Sequence, residues 1–281
     1  MGDRLRPLWD FDDLDATHGR FDAQLGEEAT DAGRAEVLTQ LARVDGLRGR
    51  FGEAHALLAE AGALAGESSA ARARVLLERG RVLRSAGEIA EAHSLFADAL
   101  ATALEAGEEF VAVDAAHMAA IAAPDRDDAV DWTERGIELA EGSSDEETRY
   151  WLGPLLNNVG WAHFEAGDHA RALEAFERAL LAREHRPQEP YAIEIARYAV
   201  ARALRALGRA AEAVPLLEHA VAWADSHGRP DPFFHEELAE DYAAVDRPEA
   251  AREHARRALA LVDADAESER GARLRELAAS E

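Results

Sequence analysis

The sequence predicts an all-α protein in which about six helical hairpins stack into an α–α superhelix, or solenoid, with a capping helix at each end. Two observations predict this fold. Small residues recur at fixed offsets along most of the 281 residues. The successive units are also marked by six alanines: Ala54, Ala92, Ala129, Ala172, Ala213 and Ala251. The units must stack, because one helix pair cannot bury its apolar face alone.

The first predicted element is a capping helix within residues 8–31, from about Asp10 to Glu28. The acidic residues near Asp10 favour a helix start, because carboxylates accept hydrogen bonds from the free N–H groups of a first turn. The inward residues of this helix are Leu14, Phe21 and Leu25. Just ahead of it, Trp9 and Phe11 are predicted to act either as a hydrophobic staple or as a plug against a groove.

The repeats are predicted to occupy residues 35–262, and the clearest unit is LLNNVGWAHFEAGDHARALEAFERAL, which ends at Leu180. Gly160 and Ala172 let two helix backbones approach, and Gly167 breaks the chain between the helices. Phe176 and Ala179 share one face of the second helix. In another unit the same five positions hold Gly80, Gly87, Ala92, Phe96 and Ala99.

This pattern resembles the tetratricopeptide repeat, a pair of antiparallel helices with small residues where the two helices cross. The resemblance extends from about Ala35 to Leu261 and is strong in two units, fair in two and weak in two. The marker alanines are 38, 37, 43, 41 and 38 residues apart. Because the standard repeat has about 34 residues, we expect lengthened helices or loops.

The remaining predicted elements are the loops between repeats and the C-terminal cap. Loops are predicted at 65–70, 141–147, 184–190 and 226–232. A second capping helix is predicted within residues 265–281, from Asp265 to Ala279, with Leu274 and Leu277 inward. The whole chain, residues 1–281, is therefore predicted to form a single domain.

The resemblance implies a concave groove lined by the first helix of each pair. Inward positions, counted from nineteen residues before each marker alanine, hold the candidate ligand-binding residues: Gln40, Arg43, Arg74, Glu78, Arg81, Asp114, His117, Met118, Asn157, Asn158, Trp161, Tyr198, Arg202, Arg205 and Glu236. The same frame places further residues on this face: Thr39, Arg84, Phe233, Glu237 and Glu240. Ile195 and Ala199 stand where a two-carboxylate clamp of this family needs basic residues, so chaperone-tail binding is not predicted.

Residue types that the chain otherwise avoids collect at these positions. Asn occurs only at Asn157 and Asn158, and Met occurs only twice, once at Met118. Gln40 is one of three Gln residues, and Tyr198 is one of four Tyr residues. This concentration favours a ligand site. The alternative is that the two asparagines belong to an LNN-G phrase common in such repeats, with an amide bonding a neighbouring helix.

The charge balance excludes several functions. All 31 basic residues are Arg, there is no Cys, and the net charge is −25. Without Lys or Cys the chain has no phosphate-binding P-loop, no pyridoxal Schiff base and no thiolate metal site. The negative charge argues against nucleic acid and against anionic membranes as partners. The groove arginines are therefore predicted to bind an anion or, alternatively, to pair with Glu78, Asp114 or Glu236 of adjacent helices.

The predicted function is a binding or scaffold protein that holds a protein or peptide segment, or a small acidic ligand, in the groove. No catalytic, cofactor or metal motif is found, so no cofactor and no metal are expected. Without a long apolar run or a secretory signal, the protein is predicted to be cytoplasmic. The alternative is an enzyme acting on a small anionic metabolite in a closed pocket around His117, Asn158 and the arginines.

Overall fold

A computed structural model of the protein describes residues 3–185, 189–262 and 269–279. After a 3₁₀ turn at Arg6–Leu8, its helices are α1 (Leu14–Glu27), α2 (Asp31–Leu47), α3 (Phe51–Ala65), α4 (Ser69–Ser85), α5 (Ile89–Ala106), α6 (Glu109–Ile121), α7 (Arg126–Gly142), α8 (Glu146–Arg149), α9 (Leu152–Glu165), α10 (His169–Glu184), α11 (Pro190–Ala206), α12 (Ala210–Ser226), α13 (Pro232–Ala244), α14 (Pro248–Leu261) and α15 (Glu269–Ala279). No β-strand occurs among these described residues. The predicted all-α fold of stacked helical hairpins is confirmed.

The helices fall into two compact units, unit 1 (Met1–Leu155) and unit 2 (Leu156–Glu281). Within each unit a helix packs mainly against the next helix along the chain. Unit 1 has apolar clusters around Phe21 and around Phe96, and unit 2 has a cluster around Phe176 and Phe234. The prediction that residues 1–281 form a single domain stays a prediction.

Helix pairs are closed by residues in the left-handed backbone conformation. Gly87 has a φ of 90° between α4 and α5, and Gly167 has a φ of 81° between α9 and α10. Glycine suits these turns because it carries no Cβ. In the weakest repeat the same place between α13 and α14 is taken by Asp246, with a φ of 58°. Asp tolerates this conformation better than most residues, so the turn between the two helices keeps its geometry without glycine.

The crossing of two paired helices depends on a glycine facing an aromatic ring. A Cβ added at Gly80 would lie 2.5 Å from Phe96 Cε1, and one added at Gly160 would overlap the Phe176 ring in the same way. Phe96 and Phe176 are fully buried. The sequence interpretation assigned the close approach to Gly160 and Ala172. The structure adds that Gly160 makes room for the Phe176 ring on the partner helix.

Other hairpins use a smaller side chain at the position of the ring and alanine in place of the glycine. Ala42 shares one buried cluster with Leu58, and Ala201 shares another with Leu217. In the last pair both members are small, Ala239 and Ala255. In the other pairs named above glycine faces phenylalanine and alanine faces leucine, as a close-packed interior with no spare volume requires, and the Ala239–Ala255 pair departs from this relation.

The predicted capping elements are helices. Asp13, rather than Asp10, caps α1 by accepting a hydrogen bond from the backbone N–H of Ala16 at 2.9 Å. Phe21 is fully buried, while Leu14 and Leu25 pack partly buried against the same cluster. At the other end Leu274 and Leu277 of α15 are buried.

The predicted loops lie between helices. Those at 65–70 and 226–232 connect α3 to α4 and α12 to α13. The loop at 141–147 is shortened, because α7 extends to Gly142 and the one-turn helix α8 starts at Glu146. Parts of two predicted elements lie outside the described residues, namely 186–188 of the loop at 184–190, and 265–268 and 280–281 of the C-terminal cap.

We expect Gly80→Ala to lower the free energy of unfolding by about 1–3 kcal/mol, because the added methyl group must displace the buried Phe96 ring. The matched control is Gly19→Ala in α1, where an added Cβ meets nothing within 4 Å. That change should raise the free energy of unfolding by about 0.5–1 kcal/mol. Urea titrations followed by circular dichroism measure both, and equal effects would contradict the proposed crossing constraint.

Candidate functional site

The candidate residues of unit 1 lie on the first helices of three consecutive hairpins. Helix α4 packs against both α2 and α6. The candidate side chains are divided between them: Gln40 and Arg43 on α2, Arg74, Glu78 and Arg81 on α4, and Asp114, His117 and Met118 on α6. The packing of these helices brings groups of both charges around two adjacent cavities.

Arg81 is the centre of a buried ion-pair network. Its guanidinium contacts the Glu78 carboxylate on its own helix and the Asp114 carboxylate of α6, the latter at 2.5 Å. Burial alone would lower the pKa of Arg81 and raise that of Asp114, but the attraction between the two groups reverses both shifts. These groups therefore stabilise one another in their charged forms. For Arg81 this agrees with the alternative in which the groove arginines pair with carboxylates of adjacent helices.

Arg74 is engaged by the N-terminal segment of the chain. Its two terminal nitrogens donate to the two carboxylate oxygens of Asp3 at 2.7 and 3.2 Å. Both side chains are buried, at 6% and 7% exposure. Burial would lower the pKa of Arg74, but Asp3 and then Glu36 raise it above its ordinary value. A bidentate pair of this kind fixes the segment against α4.

Arg43 and Arg84 are less engaged than the other arginines of this face. The nearest carboxylate oxygen to Arg43 is Glu78 Oε1 at 3.9 Å. Among the described residues, neither guanidinium donates a hydrogen bond. Burial and repulsion by Arg81 lower the pKa of Arg43. Arg43 thus stays a cation that lacks a well-placed counter-ion.

These arginines line a cavity of about 190 Å³, here called the arginine cavity. Its lining is Arg43, Gly46, Leu47, Glu78, Arg81, Val82, Arg84, Ser85 and Met118. Three of these side chains are cationic, and the one carboxylate among them, Glu78, is paired with Arg81. The cavity is therefore suited to an anionic group.

A second cavity of about 160 Å³, the aromatic cavity, adjoins the first. Its lining is Asp3, Arg6, Trp9, Phe11, Gln40, Arg43, Arg74, Leu77, Glu78, Phe110, Val111, Asp114, Tyr150, Trp151 and Pro154. Trp9 Nε1 donates to Gln40 Oε1 at 2.9 Å, and the Trp9 ring stacks on Phe11 with a centroid distance of 4.7 Å. Trp9 and Phe11 therefore stand in the wall of this cavity.

Phe110, Tyr150 and Trp151 are absent from the sequence-based candidates. Tyr150 and Trp151 lie between the degenerate third repeat and the fourth, where the repeat frame assigns no inward positions. The one signal that marks them is an adjacent aromatic pair in a chain with 6% aromatic residues. Phe110 occupies an apolar position of α6, which gives no sign of a cavity.

His117 lines neither cavity, whereas Met118 lines the arginine cavity. His117 lies 5.1 Å from the Trp151 ring, and its Nδ1 is buried without a hydrogen-bond partner among the described residues. Burial lowers the pKa of His117. Met118 is buried and closes one side of the arginine cavity.

In unit 2 the candidate residues gather around Arg202 of α11. Its guanidinium carbon lies 5.6 Å from the Trp161 ring centroid and 5.3 Å from that of Phe164. It donates to the Tyr198 hydroxyl at 3.1 Å. Burial would lower the pKa of Arg202, but Tyr198 and then Glu237 raise it. The aromatic rings and the hydroxyl together hold this cation in place.

The two asparagines have different surroundings. Asn158 is exposed, whereas Asn157 Oδ1 is buried and accepts no hydrogen bond within the described part of the chain. The structural alternative for these residues is a hydrogen bond from an asparagine side chain to a neighbouring helix. No such hydrogen bond is seen in the described part of the chain. Since Asn157 and Asn158 belong to unit 2 and His117 to unit 1, a pocket that joins them stays a prediction.

Acidic residues of α13 complete the unit 2 face. Glu236 contacts the Arg270 guanidinium of α15, and Glu237 accepts from Arg205 Nε at 2.6 Å. Asp241 is fully buried, and neither carboxylate oxygen has a hydrogen-bond partner among the described residues. Burial, followed by repulsion from Glu237, raises its pKa to about 8. Asp241 is therefore largely protonated at neutral pH.

No cluster of three or more His, Asp or Glu side chains in residues 3–185, 189–262 and 269–279 is placed to hold a metal ion. In the same ranges, no helix combines the length and the apolar character needed to span a bilayer.

Stacked hairpins whose first helices gather polar side chains on one face define a helical-repeat protein. Two family models, both described as tetratricopeptide repeat, match the sequence. One matches residues 154–185, and the other matches residues 35–60, 195–219 and 232–257. The chain therefore contains tetratricopeptide repeats in these four ranges. No curated protein matches the sequence.

Solved structures of similar fold include three proteins of low sequence identity. The apo form of RapI has a TM-score of 0.74 and 14% identity, over 93% of this chain and 74% of that one. A STAND ATPase with a tetratricopeptide repeat sensor from Pyrococcus horikoshii has a TM-score of 0.71 and 14% identity, over 95% of this chain and 42% of that one. BtubC from P. vanneervenii has a TM-score of 0.63 and 16% identity, over 82% and 95%. These likenesses show the fold alone.

We expect Arg81→Gln to lower the free energy of unfolding by about 3–5 kcal/mol, because it leaves two buried carboxylates without their counter-ion. The matched control is Arg72→Gln on the same helix, whose side chain is exposed. That change should alter stability by less than about 0.5 kcal/mol. Urea unfolding curves measure both variants. A similar small effect from each would contradict the role given to the network.

We expect Asp241→Asn to stabilise the protein at alkaline pH relative to the parent chain. Because the folded-state pKa of Asp241 is raised from 3.8 to about 8, its contribution to stability is full below pH 4 and is lost as pH rises to about 8. The advantage of the Asn variant should grow over that interval to about 1–3 kcal/mol. Unfolding curves from pH 4 to 9 test this, and a pH-independent difference would contradict it.

Proposed function

We propose that the protein is an interaction scaffold that holds an acidic segment of a partner protein on the face of unit 1 formed by α2, α4 and α6. One observation carries this proposal. The arginine cavity presents the guanidiniums of Arg43 and Arg84, and neither donates a hydrogen bond among the described residues. A tetratricopeptide repeat fold is typical of protein-interaction scaffolds, and such repeats are generally non-enzymatic.

The chemistry of these arginines favours a carboxylate ligand. A guanidinium keeps its charge at any physiological pH and offers several donors in a planar fork that matches a carboxylate. Arg43 bears the cost of burial with its nearest carboxylate oxygen 3.9 Å away. A bound acidic side chain would supply the counter-ion and the missing hydrogen-bond acceptors.

The size of the arginine cavity is compatible with a peptide side chain. Its 190 Å³ corresponds to the liquid volume of about six water molecules. A carboxylate group is small enough to enter this volume, and its oxygens would accept hydrogen bonds from the arginine side chains. A small acidic ligand would use the same chemistry, and we regard it as the second form of the same proposal.

The overall charge does not prevent such binding. The chain carries a net charge of −25, but charges beyond about 8 Å are largely screened at physiological ionic strength. An approaching carboxylate then responds mainly to the local arginines. Nucleic acids and anionic membranes present many charges and need an extended cationic surface, so the proposal does not include them as partners. A cytoplasmic location stays part of the proposal.

The test uses an acetylated, amidated penta-glutamate peptide as the probe, with binding measured by calorimetry at physiological salt. We expect the double variant Arg43→Gln/Arg84→Gln to bind it roughly ten- to a hundredfold more weakly, because charge-assisted hydrogen bonds contribute about 1.5–3 kcal/mol. The control is Arg72→Gln, an exposed arginine on α4, which should bind like the parent chain. No binding by the parent chain, or equal binding by the double variant, would overturn the proposal.

A further inference from the structure

The aromatic cavity and the arginine cavity are neighbours, because Arg43 and Glu78 line both. We infer that the partner segment carries an aromatic side chain next to its acidic residue and that the ring enters the aromatic cavity while the carboxylate reaches Arg43 and Arg84. This inference rests on the proposed function and names the class of partner more closely.

The aromatic cavity has the size and the walls that a ring needs. Its volume is about 160 Å³, and a cavity of about 150 Å³ lined by apolar side chains is known to hold benzene. Five aromatic residues contribute to its lining: Trp9, Phe11, Phe110, Tyr150 and Trp151. Aromatic rings favour edge-to-face or offset contacts with one another, so a sixth ring finds partners on several sides.

A cationic ligand fits this cavity less well, because arginines already occupy the ring faces. Arg43 lies 5.0 Å from the Trp9 centroid, and Arg6 lies 5.3 Å from that of Phe11. Each of the three carboxylates in the lining already faces an arginine: Asp3 is bound to Arg74, and both Asp114 and Glu78 are paired with Arg81. A guest cation would meet two guanidiniums and no available carboxylate among these three. A ring flanked by acidic groups meets attraction instead.

The N-terminal segment forms one wall of the aromatic cavity and is anchored on both sides of it. Leu5 is buried in the unit 1 core, and Asp3 is bound to Arg74. Phe11 stands at the rim of this wall with 47% of its surface exposed. Because Phe11 is only partly packed, it can be changed without opening the core, which makes it the best probe of the cavity.

The experiment compares two acetylated, amidated peptides, Glu-Glu-Phe-Glu-Glu and Glu-Glu-Ala-Glu-Glu, by calorimetry against the full chain. We expect the phenylalanine peptide to bind about tenfold more tightly or better, because burying a phenyl ring favours binding to at least that extent. Phe11→Ala should weaken the phenylalanine peptide by roughly three- to tenfold and weaken the alanine peptide by a clearly smaller factor, since that peptide has no ring to lose. Phe233→Ala, a half-exposed phenylalanine of unit 2, should change neither.

The outcomes separate this inference from the proposed function. Equal affinity for the two peptides would overturn the aromatic inference and leave acidic binding intact. Equal weakening of both peptides by Phe11→Ala would also overturn it, since the residue would then act through the fold. Failure of both peptides to bind the parent chain would overturn the proposed function itself, and this inference with it.

Discussion

The fold depends on how closely the two helices of a pair can cross. Where the second helix supplies a phenylalanine, the first supplies a glycine, and where it supplies a leucine, the first supplies an alanine. This reciprocal sizing limits the separation of the two helices in these pairs, because one of the two facing side chains leaves room for the other. The separation in turn sets where the first helices lie, and these helices carry nearly all the polar side chains of the candidate face.

The local charge on the candidate face of unit 1 is opposite in sign to the net charge of the chain. A protein with a net charge of −25 places five arginines and one glutamate on α4, and buried carboxylates pair with some of these arginines. Arg81 holds Glu78 and Asp114, and Arg74 holds Asp3. Arg43 and Arg84 donate no hydrogen bond among the described residues. The ion pairs within the fold therefore determine which guanidiniums remain available to a ligand in the cavities. In unit 2 the balance is reversed, because the buried Asp241 carboxyl has no hydrogen-bond partner among the described residues.

The fold could be predicted from the sequence because its determinants are local and periodic. Gly160 and Phe176 lie sixteen residues apart in one hairpin, a spacing that recurs and can be counted. The candidate site could be predicted only in part. Repeat positions gave Arg43 and Gln40, but Asp3 and Arg74 are 71 residues apart, and no periodicity links them. Trp151 also escaped prediction, because it follows a degenerate repeat where the frame is lost.

The bond between Asp3 and Arg74 has a consequence for anything attached to the start of the chain. It fixes the third residue in the lining of the aromatic cavity, so a short segment fused to the N-terminus is tethered within a few residues of that cavity. Such a tether gives the fused segment an effective concentration on the order of millimolar. Even a weak ligand would then occupy the cavity most of the time, and a fused tag could mask it.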